Sequence, residues 1–356
     1  MQKKSIYELS LEELASLLQS AGYPDYRARQ IWEWLYDHKV TDFAEMASLP
    51  KALRDWLAGQ FNIGSLEQVA EIHSNDGQTV KRLLRLPDGQ LIESVLMEYD
   101  DNRRTACIST QAGCAMGCVF CATGQMGFAR HLTAGEIVEQ ALLFARQLEA
   151  EGERLSNVVL MGMGEPLHNY DATLEAITRL NDANGLNIGQ RHITLSTVGL
   201  VPGIRRFADE KTQIGLAISL HAATDEERSK LLPVNKRWPL EELIEAVRYY
   251  IDQTGRRVTF EWALIAREND TPEQAHQLGQ LLQGLKCHVN LIPLNPTTGY
   301  TGRPSDPARV EAFQAVLQSY GIGSTVRVRR GIDIQAGCGQ LKAEVLQRKS
   351  SSISEP

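Results

Sequence analysis

The stretch Cys114-Ala-Met-Gly-Cys118-Val-Phe-Cys121 holds three of the six cysteines of the chain. Cysteine thiolates ligate iron–sulfur clusters, and this spacing brings three sulfurs around one face of a cubic cluster. Gly113 and Gly117 allow the loop to bend sharply. The triplet therefore predicts a [4Fe–4S] cluster with three protein ligands and one iron left open to a small molecule.

A structural zinc site is the alternative interpretation of the same cysteines. Structural zinc usually takes four protein ligands, commonly from two CxxC-like pairs, and here the triplet stands alone. The N-terminus has no apolar leader segment, and no apolar run approaches the roughly 18 residues of a membrane helix. We therefore expect a cytoplasmic protein, in which clustered cysteines ligate metal rather than form disulfides.

From Thr105 onward, strand-like and helix-like runs alternate along the chain, beginning with a strand-like run at Ala106–Thr110. Repeated strand–helix units predict a parallel sheet with right-handed crossovers. About six units are too few for a closed eight-fold barrel. We therefore expect an α/β fold with a partial (βα)6, TIM-like barrel over residues 105–341. Its active site should lie at the carboxyl ends of the strands.

Smaller regions flank the predicted barrel. Residues 1–62 have helical spacing of leucines behind a capping box at Ser10, and they predict a small helical accessory domain. Within residues 63–104, two β-patterned runs joined by Asp88-Gly89 predict a β-hairpin extension. Residues 342–356 form a polar tail.

The cysteine motif and several further stretches resemble a known group of enzymes. A Cx3Cx2C motif after the first strand of a partial barrel resembles the radical S-adenosylmethionine (SAM) superfamily. From about Tyr7 to Leu341 the chain is similar to one of its families, the RlmN RNA adenine-C2 methyltransferases. That family usually has Ala where this chain has Gly337. The stretches that carry the resemblance are Cys107-Ile-Ser-Thr-Gln-Ala-Gly-Cys114, Cys121-Ala-Thr-Gly, Met161 to Pro166, Ile218 to Ala222, Leu231-Leu-Pro-Val-Asn235-Lys236 and Gly331-Ile-Asp-Ile-Gln-Ala-Gly-Cys338-Gly-Gln-Leu341.

The resemblance implies where SAM would bind. Met161-Gly-Met-Gly-Glu165-Pro166 looks like the superfamily's segment for the amino group of SAM, with Glu165 as a partner for the ammonium. The other candidates follow later strands, whose ends should share one mouth. The candidate SAM-binding residues are Gly164, Glu165, Ser196, Ser219, Leu220, His221 and Asn295.

Two isolated cysteines, Cys107 and Cys338, are candidates for covalent chemistry. Lone cysteines are usually buried core residues, and Cys287, which opens an apolar strand, fits that description. Cys338 differs, because its small, glycine-rich surroundings allow close approach of a substrate. The resemblance implies that Cys338 carries a methyl group, that Cys107 later attacks its sulfur, and that Glu93 accepts the C2 proton.

The resemblance also implies the substrate and the partners. It implies methylation of C2 of adenine 2503 in 23S rRNA, at the peptidyl-transferase centre, and of adenine 37 in some tRNAs. It further implies that the enzyme is a monomer without a membrane partner. It implies that each turnover uses two SAM molecules and an electron donor such as flavodoxin. The net charge of −7 argues against a protein that coats RNA by charge alone. Local candidates for RNA contact are Arg103 with Arg104, and Arg327 with Arg329 and Arg330.

Three other functions stay open at the level of sequence, and one of them is a radical SAM enzyme that acts on a protein or a small molecule. A sister branch of the family methylates C8 of the same adenine, and it typically lacks the equivalents of Pro166 and Pro293. Both prolines are present in this chain, which favours C2. A zinc-stabilised RNA-binding module without catalysis is the alternative from a different class.

Overall fold

A computed structural model describes residues 3–295, 297, 299–327 and 334 of the chain. Its N-terminal part is a three-helix module, closed by short parallel strands at Lys4–Ser5 and Phe61–Asn62. The predicted capping box is confirmed: the Ser10 side chain accepts from the Glu13 amide, and the Glu13 carboxylate accepts from the Ser10 amide. The three helices are α1 (Leu11–Ser20), α2 (Tyr26–Tyr36) and α3 (Lys51–Gln60).

The main sheet has ten strands within the described residues, and each strand lies beside the next one along the chain. The first four pair antiparallel, and the fourth to the tenth pair parallel. The strands are β1 (Glu67–His73), β2 (Thr79–Arg85), β3 (Leu91–Glu98), β4 (Arg104–Cys107), β5 (Asn157–Leu160), β6 (Ile193–Thr197), β7 (Gly215–Ser219), β8 (Val258–Leu264), β9 (Cys287–Pro293) and β10 (Ser324–Val326).

A long helix covers each of the six crossovers between the seven parallel strands. Strand–helix units of this kind are the repeat of a TIM-like barrel, so the predicted partial barrel is confirmed. The crossover helices are α4 (Ala134–Ala150), α5 (Tyr170–Asn181), α6 (Val201–Asp209), α7 (Leu240–Thr254), α8 (Pro272–Leu282) and α9 (Pro307–Ser319). Short helices and 3-10 turns lie at Ile6–Glu8, Phe43–Glu45, Ala122–Gln125, Pro166–Asn169, Gln190–His192, Asp225–Leu231 and Pro233–Lys236.

The antiparallel extension is larger than the sequence predicts. A third strand, β1, lies outside the expected hairpin and pairs with β2. The first barrel strand also ends earlier, at Cys107 rather than near Thr110. The chain beyond it forms a two-stranded ribbon in which Gln111–Gly113 pairs antiparallel with Phe128–His131. This ribbon holds both ends of the cysteine loop.

The helical module packs firmly on the outside of the barrel. The Trp32 indole nitrogen donates to Asp182 at 3.0 Å, and Arg146 donates to the Tyr7 hydroxyl at 2.7 Å. Trp32 is 5% exposed, so its ring belongs to the shared core. The described part of the chain contains no helix both long and apolar enough to cross a membrane.

Candidate functional site

A cavity of about 320 Å³ opens at the carboxyl ends of the parallel strands. Its wall is formed by the cysteine loop on one side and by the residues that end β5 to β9 on the other. Parallel strands present their carboxyl ends at one edge, which is why residues far apart in sequence meet there. The predicted site residues in this wall are Cys114, Cys118, Cys121, Gly164, Glu165, Ser196, Ser219, His221 and Asn295.

The three sulfurs of the triplet are spaced too widely for one zinc ion. Ligand bonds of about 2.3 Å put the sulfurs of a tetrahedral zinc site roughly 3.8 Å apart. Among the described residues, only the exposed group of Glu33, Asp37 and His38 brings three such ligand atoms within 4.8 Å of one another. The triplet therefore fits a larger body such as an iron–sulfur cube, which separates its ligands further.

Burial and the neighbouring thiols raise the pKa values of Cys114 and Cys118 in the absence of a cation. Burial raises the pKa of Cys114 to about 12, and it holds the pKa of Cys118 well above its usual value. The neighbouring thiols Cys121 and Cys114 raise the pKa of Cys118 further. Positively charged iron offsets both effects, so binding of the cluster should release protons from the loop.

The ribbon fixes the entry and the exit of the cysteine loop. The Cys114 amide donates to the Gly127 carbonyl at 2.8 Å. Gly113 has a φ of 82°, and a Cβ built there would lie 2.0 Å from that same carbonyl oxygen. Only glycine fits this crossing, which holds the two ends of the loop together.

Glu165 connects the ends of two parallel strands through its carboxylate. It is buried and accepts hydrogen bonds from the Val198 amide at 2.8 Å and the Leu167 amide at 3.1 Å. Burial raises its pKa to about 7. Gly164 beside it has a φ of 106°, and a Cβ there would lie 2.6 Å from the Gln111 side chain. The Glu165 carboxylate thus has backbone amides of the protein as partners. A ligand in the cavity would contact mainly backbone at Gly164.

A hydrogen bond from the backbone holds the His221 side chain in one tautomer. Its Nδ1 accepts from the Ala263 amide at 2.8 Å, so Nε2 carries the hydrogen. Burial lowers its pKa to about 3. Its neighbour Leu220 is fully buried in the core and does not line the cavity. Of the predicted Ser219-Leu220-His221 segment, the side chains of the first and third residues face the cavity.

Glu93 and Cys107 project from one face of the sheet. Val95 pairs with both Lys81 and Cys107 across neighbouring strands, and Glu93 lies two residues from Val95 on the same side. Lys81 and Glu93 form a buried ion pair of 2.9 Å. Burial raises the pKa of Cys107 to about 11, although the positive charges of Arg327 and Lys81 oppose this. Cys338 lies outside the described residues.

Glu261 and Arg327 line the cavity, and neither was predicted from the sequence to do so. Glu261 is 4% exposed and accepts from Asn290 at 2.9 Å, while its Oε2 has no hydrogen-bond partner within the described residues. A lone carboxylate in the apolar run of β8 was the available signal. Arg327, a candidate for RNA contact from the sequence, lines this cavity with its guanidinium 4.0 Å from the Met161 sulfur.

The other basic pair is largely neutralised. Arg103 forms an ion pair with Asp101 at 2.8 Å, and Arg104 pairs with Glu98 and Glu153, each at 3.2 Å. Neither arginine therefore offers an uncompensated charge to RNA. Arg329 and Arg330 lie outside the described residues.

Family models match both parts of the chain. The model of the ribosomal RNA large subunit methyltransferase N-terminal domain matches residues 4–63, and that of the radical SAM superfamily matches residues 108–278. The second match spans the cysteine loop and the ends of β5 to β8, which form much of the cavity wall. The enzyme class therefore agrees with the site.

Full-length relatives extend this similarity. The dual-specificity RNA methyltransferase RlmN 1 of Myxococcus xanthus is 57% identical and covers 98% of this chain and 97% of its own length. A probable dual-specificity RNA methyltransferase RlmN of Geobacillus kaustophilus is 51% identical, with 96% and 93% covered. The crystal structure of a radical SAM methyltransferase from Sphaerobacter thermophilus superposes with a TM-score of 0.91 at 50% identity, covering 95% of this chain and 98% of that one. The predicted family is confirmed: the chain belongs to the RlmN family of radical SAM RNA methyltransferases.

Proposed function

We propose that this enzyme methylates C2 of adenine 2503 in 23S rRNA and of adenine 37 in some tRNAs. The observation that carries the proposal is the arrangement of the cavity. The cysteine triplet forms one wall, and the strand-end residues Ser196, Ser219 and Asn295 form the other. Near the cavity-lining Arg327, Cys107 and Glu93 share a sheet face. The printed names of the relatives, dual-specificity RNA methyltransferases, support both kinds of RNA substrate.

The donor set of the cavity fits the groups that the superfamily uses. Three thiols of one loop suit a [4Fe–4S] cluster, and the glycine backbone at Gly164 with the polar strand ends suits SAM. When bound, the cluster and SAM supply a methyl group and an organic radical that removes a hydrogen atom. We propose Gly164, Glu165, Ser196, Ser219, Leu220, His221 and Asn295 as the SAM-binding set, with Leu220 contributing only its backbone.

The protein's own residues would carry the methyl carbon to the base. Cys338 loses its thiol proton and accepts the methyl group as a thioether. After one hydrogen atom has been removed from that methyl, its carbon bonds to C2 of the adenine. Glu93 accepts the C2 proton as the adduct gives up one electron, for which the oxidised cluster would be the acceptor. The Cys107 thiolate then attacks the Cys338 sulfur: a disulfide forms, the sulfur–carbon bond breaks, and the released carbon takes up a proton.

The surroundings of Glu93 support the proposal that it is the proton acceptor. Its carboxylate is buried beside Cys107, and Lys81 compensates its charge. A buried carboxylate paired with a lysine keeps a fixed orientation and is shielded from water. The same surroundings explain why Cys107 needs a nearby positive charge to attack as a thiolate.

The C8 alternative uses the same catalytic residues, so the distinction rests on the cavity wall. Pro166 lines the cavity directly after Glu165, and Pro293 ends β9. Both prolines fix the backbone near the place where the base would enter. Their presence, together with relatives named RlmN, supports C2.

Several finer expectations belong to the same proposal. Two SAM molecules are consumed per turnover, because one supplies the methyl group and one supplies the radical. A flavodoxin-like donor supplies the electron, and the enzyme acts as a monomer in the cytoplasm. These expectations rest on the family.

The test is mass spectrometry of nucleosides from an RNA hairpin that contains the target adenine. We expect 2-methyladenosine after incubation with the iron-loaded enzyme, SAM and a reductant, and none with Cys338→Ala. Production of 8-methyladenosine would favour the sister branch. Absence of any methylated adenosine would contradict the proposal.

A further inference from the structure

An exposed aromatic patch, formed by Phe128, His131 and His168, lies beside the cysteine loop. We propose that this patch is a platform on which an unpaired nucleotide next to the target adenine stacks and hydrogen-bonds. The inference rests on the proposed RNA substrate and adds to it a defined contact surface.

Phe128 is unusual among the large apolar side chains because it faces solvent. It is 41% exposed, and within the described residues only Tyr26 shares this property. Its ring lies 5.1 Å from that of His131 and 5.8 Å from that of His168, and the two imidazoles lie 4.9 Å apart. The three rings thus form one aromatic cluster, in which they meet edge to face or tilted.

The hydrogen-bond network fixes the protonation of both histidines. The Glu165 amide donates to Gln111 Oε1 at 2.8 Å, which sets the orientation of the Gln111 amide group. Its Nε2 therefore faces the two rings, 3.0 Å from His131 Nδ1 and 3.2 Å from His168 Nδ1. Because an NH2 group can only donate, each Nδ1 accepts and each Nε2 carries a hydrogen.

The platform consequently offers two neutral N–H donors beside a stacking ring. Both imidazoles are exposed, and nothing in the described part of the chain accepts from either Nε2. Phosphate and carbonyl oxygens of a nucleotide are suitable acceptors for such donors. Every base has a face that can stack on an aromatic ring, at little cost in sequence specificity.

The platform is rigid and attached to the reactive part of the site. Arg130, between the ring residues, donates to both Glu136 carboxylate oxygens at 2.8 Å, which anchors the ribbon to α4. The Gly127 carbonyl accepts from Cys114, and Gln111 accepts from Glu165. A base stacked here therefore has a fixed position relative to the cysteine loop.

A nucleotide fits the patch better than a protein partner does. To reach the cavity, the target adenine must leave its base stack, which leaves a neighbouring base without a partner. Of the three tryptophans of the helical module, Trp32 is buried, and Trp34 and Trp56 pack partly buried against the core. Phe128 is exposed at the reactive end of the barrel, where the displaced neighbour would lie.

The test compares three substitutions of Phe128 in the iron-loaded enzyme with the RNA hairpin as ligand. Since base–aromatic stacking is lost, we expect Phe128→Ala and Phe128→Leu to weaken RNA binding roughly tenfold. Phe128→Trp should keep the affinity, because it keeps a ring. Iron content and RNA-independent SAM cleavage should not change. His276→Ala, at an exposed histidine on the outer helix α8, is the matched control and should bind RNA as the parent does.

A second measurement does not depend on any variant. The parent enzyme is irradiated with hairpins that carry 5-iodouridine at each position beside the target adenine, and the crosslinked peptide is sequenced. We expect one position to crosslink to Phe128. Unchanged affinity in Phe128→Ala, or crosslinks confined to other residues, would overturn this inference while methylation of the hairpin continued. Failure of the parent to bind or methylate RNA would instead reject the proposed function.

Discussion

At the scale of single residues, the buried ion pair between Lys81 and Glu93 should contribute to the stability of the fold near the site. Lys81 is fully buried and Glu93 is 2% exposed. Removing one partner of a buried ion pair takes the compensating charge away from the other, which costs about 3–5 kcal/mol. We therefore expect Lys81→Met to lower the free energy of unfolding by this amount in urea titrations. Lys81→Met combined with Glu93→Gln should recover much of the loss, and an additive double variant would contradict the pairing.

His221 makes a second residue-scale prediction, which concerns acid sensitivity. Its folded pKa of about 3 lies below the value of about 6.5 in an unfolded chain. Between these values the unfolded state binds the extra proton, so stability is lost as the pH falls below about 6.5, by up to about 1.4 kcal/mol per pH unit. His221→Asn keeps an acceptor and tolerates the φ of 59° but does not titrate. Its unfolding free energy should depend less steeply on pH between 5 and 7; equal slopes would count against this role.

Residue by residue, the sequence predicted the parts of the site that depend on local spacing. The Cys114, Cys118 and Cys121 loop is such a part, because its chemistry follows from one short segment. Glu261 and Arg327 could not be found in this way. Their importance follows from which strand ends meet at the cavity, and that is a property of the tertiary fold.

At the scale of elements, the connection between the helical module and the sheet depends on one carboxylate of α4. Glu139 accepts from the Ser65 amide at 2.8 Å and from the Leu66 amide at 2.9 Å. We expect Glu139→Gln to lower the free energy of unfolding by about 2 kcal/mol, because hydrogen bonds to a charged group are lost. Glu149→Gln on the same helix, whose side chain is 59% exposed, should change it by less than about 1 kcal/mol. Similar effects of both substitutions in urea titrations would contradict this assignment.

Helices and buried strands were predictable because the hydrophobic periodicity of each lies within one short segment of the sequence. The capping box at Ser10 and the run Tyr26–Tyr36 are both found as expected. The edge strand Glu67–His73 was missed, because half-exposed residues there give no clear alternation. The end of β4 at Cys107 was also missed, since it depends on the ribbon pairing of Gln111–Gly113 with a distant segment.

At the scale of the whole molecule, the barrel and the antiparallel extension both contribute residues to the proposed active site. The barrel supplies the cysteine loop and the strand ends, and the antiparallel extension supplies Glu93 beside Cys107. Replacing any one of Cys114, Cys118 or Cys121 with Ala should abolish iron loading and SAM cleavage, measured by iron content and by deoxyadenosine production. Cys287→Ala is the control, because that cysteine lies at the start of β9, and it should load iron normally. Deoxyadenosine production by a triplet variant would remove the cluster assignment.

The central claim is that the methyl carbon passes through Cys338 and is released by Cys107. Its most direct measurement is denaturing gel electrophoresis and peptide mass spectrometry of Cys107→Ala protein produced in cells. Without the second thiol nothing can attack the Cys338 sulfur, so the account predicts RNA joined to Cys338 through a methylene carbon. A Cys107→Ala enzyme that turns over normally, with no nucleotide on the Cys338 peptide, would contradict it.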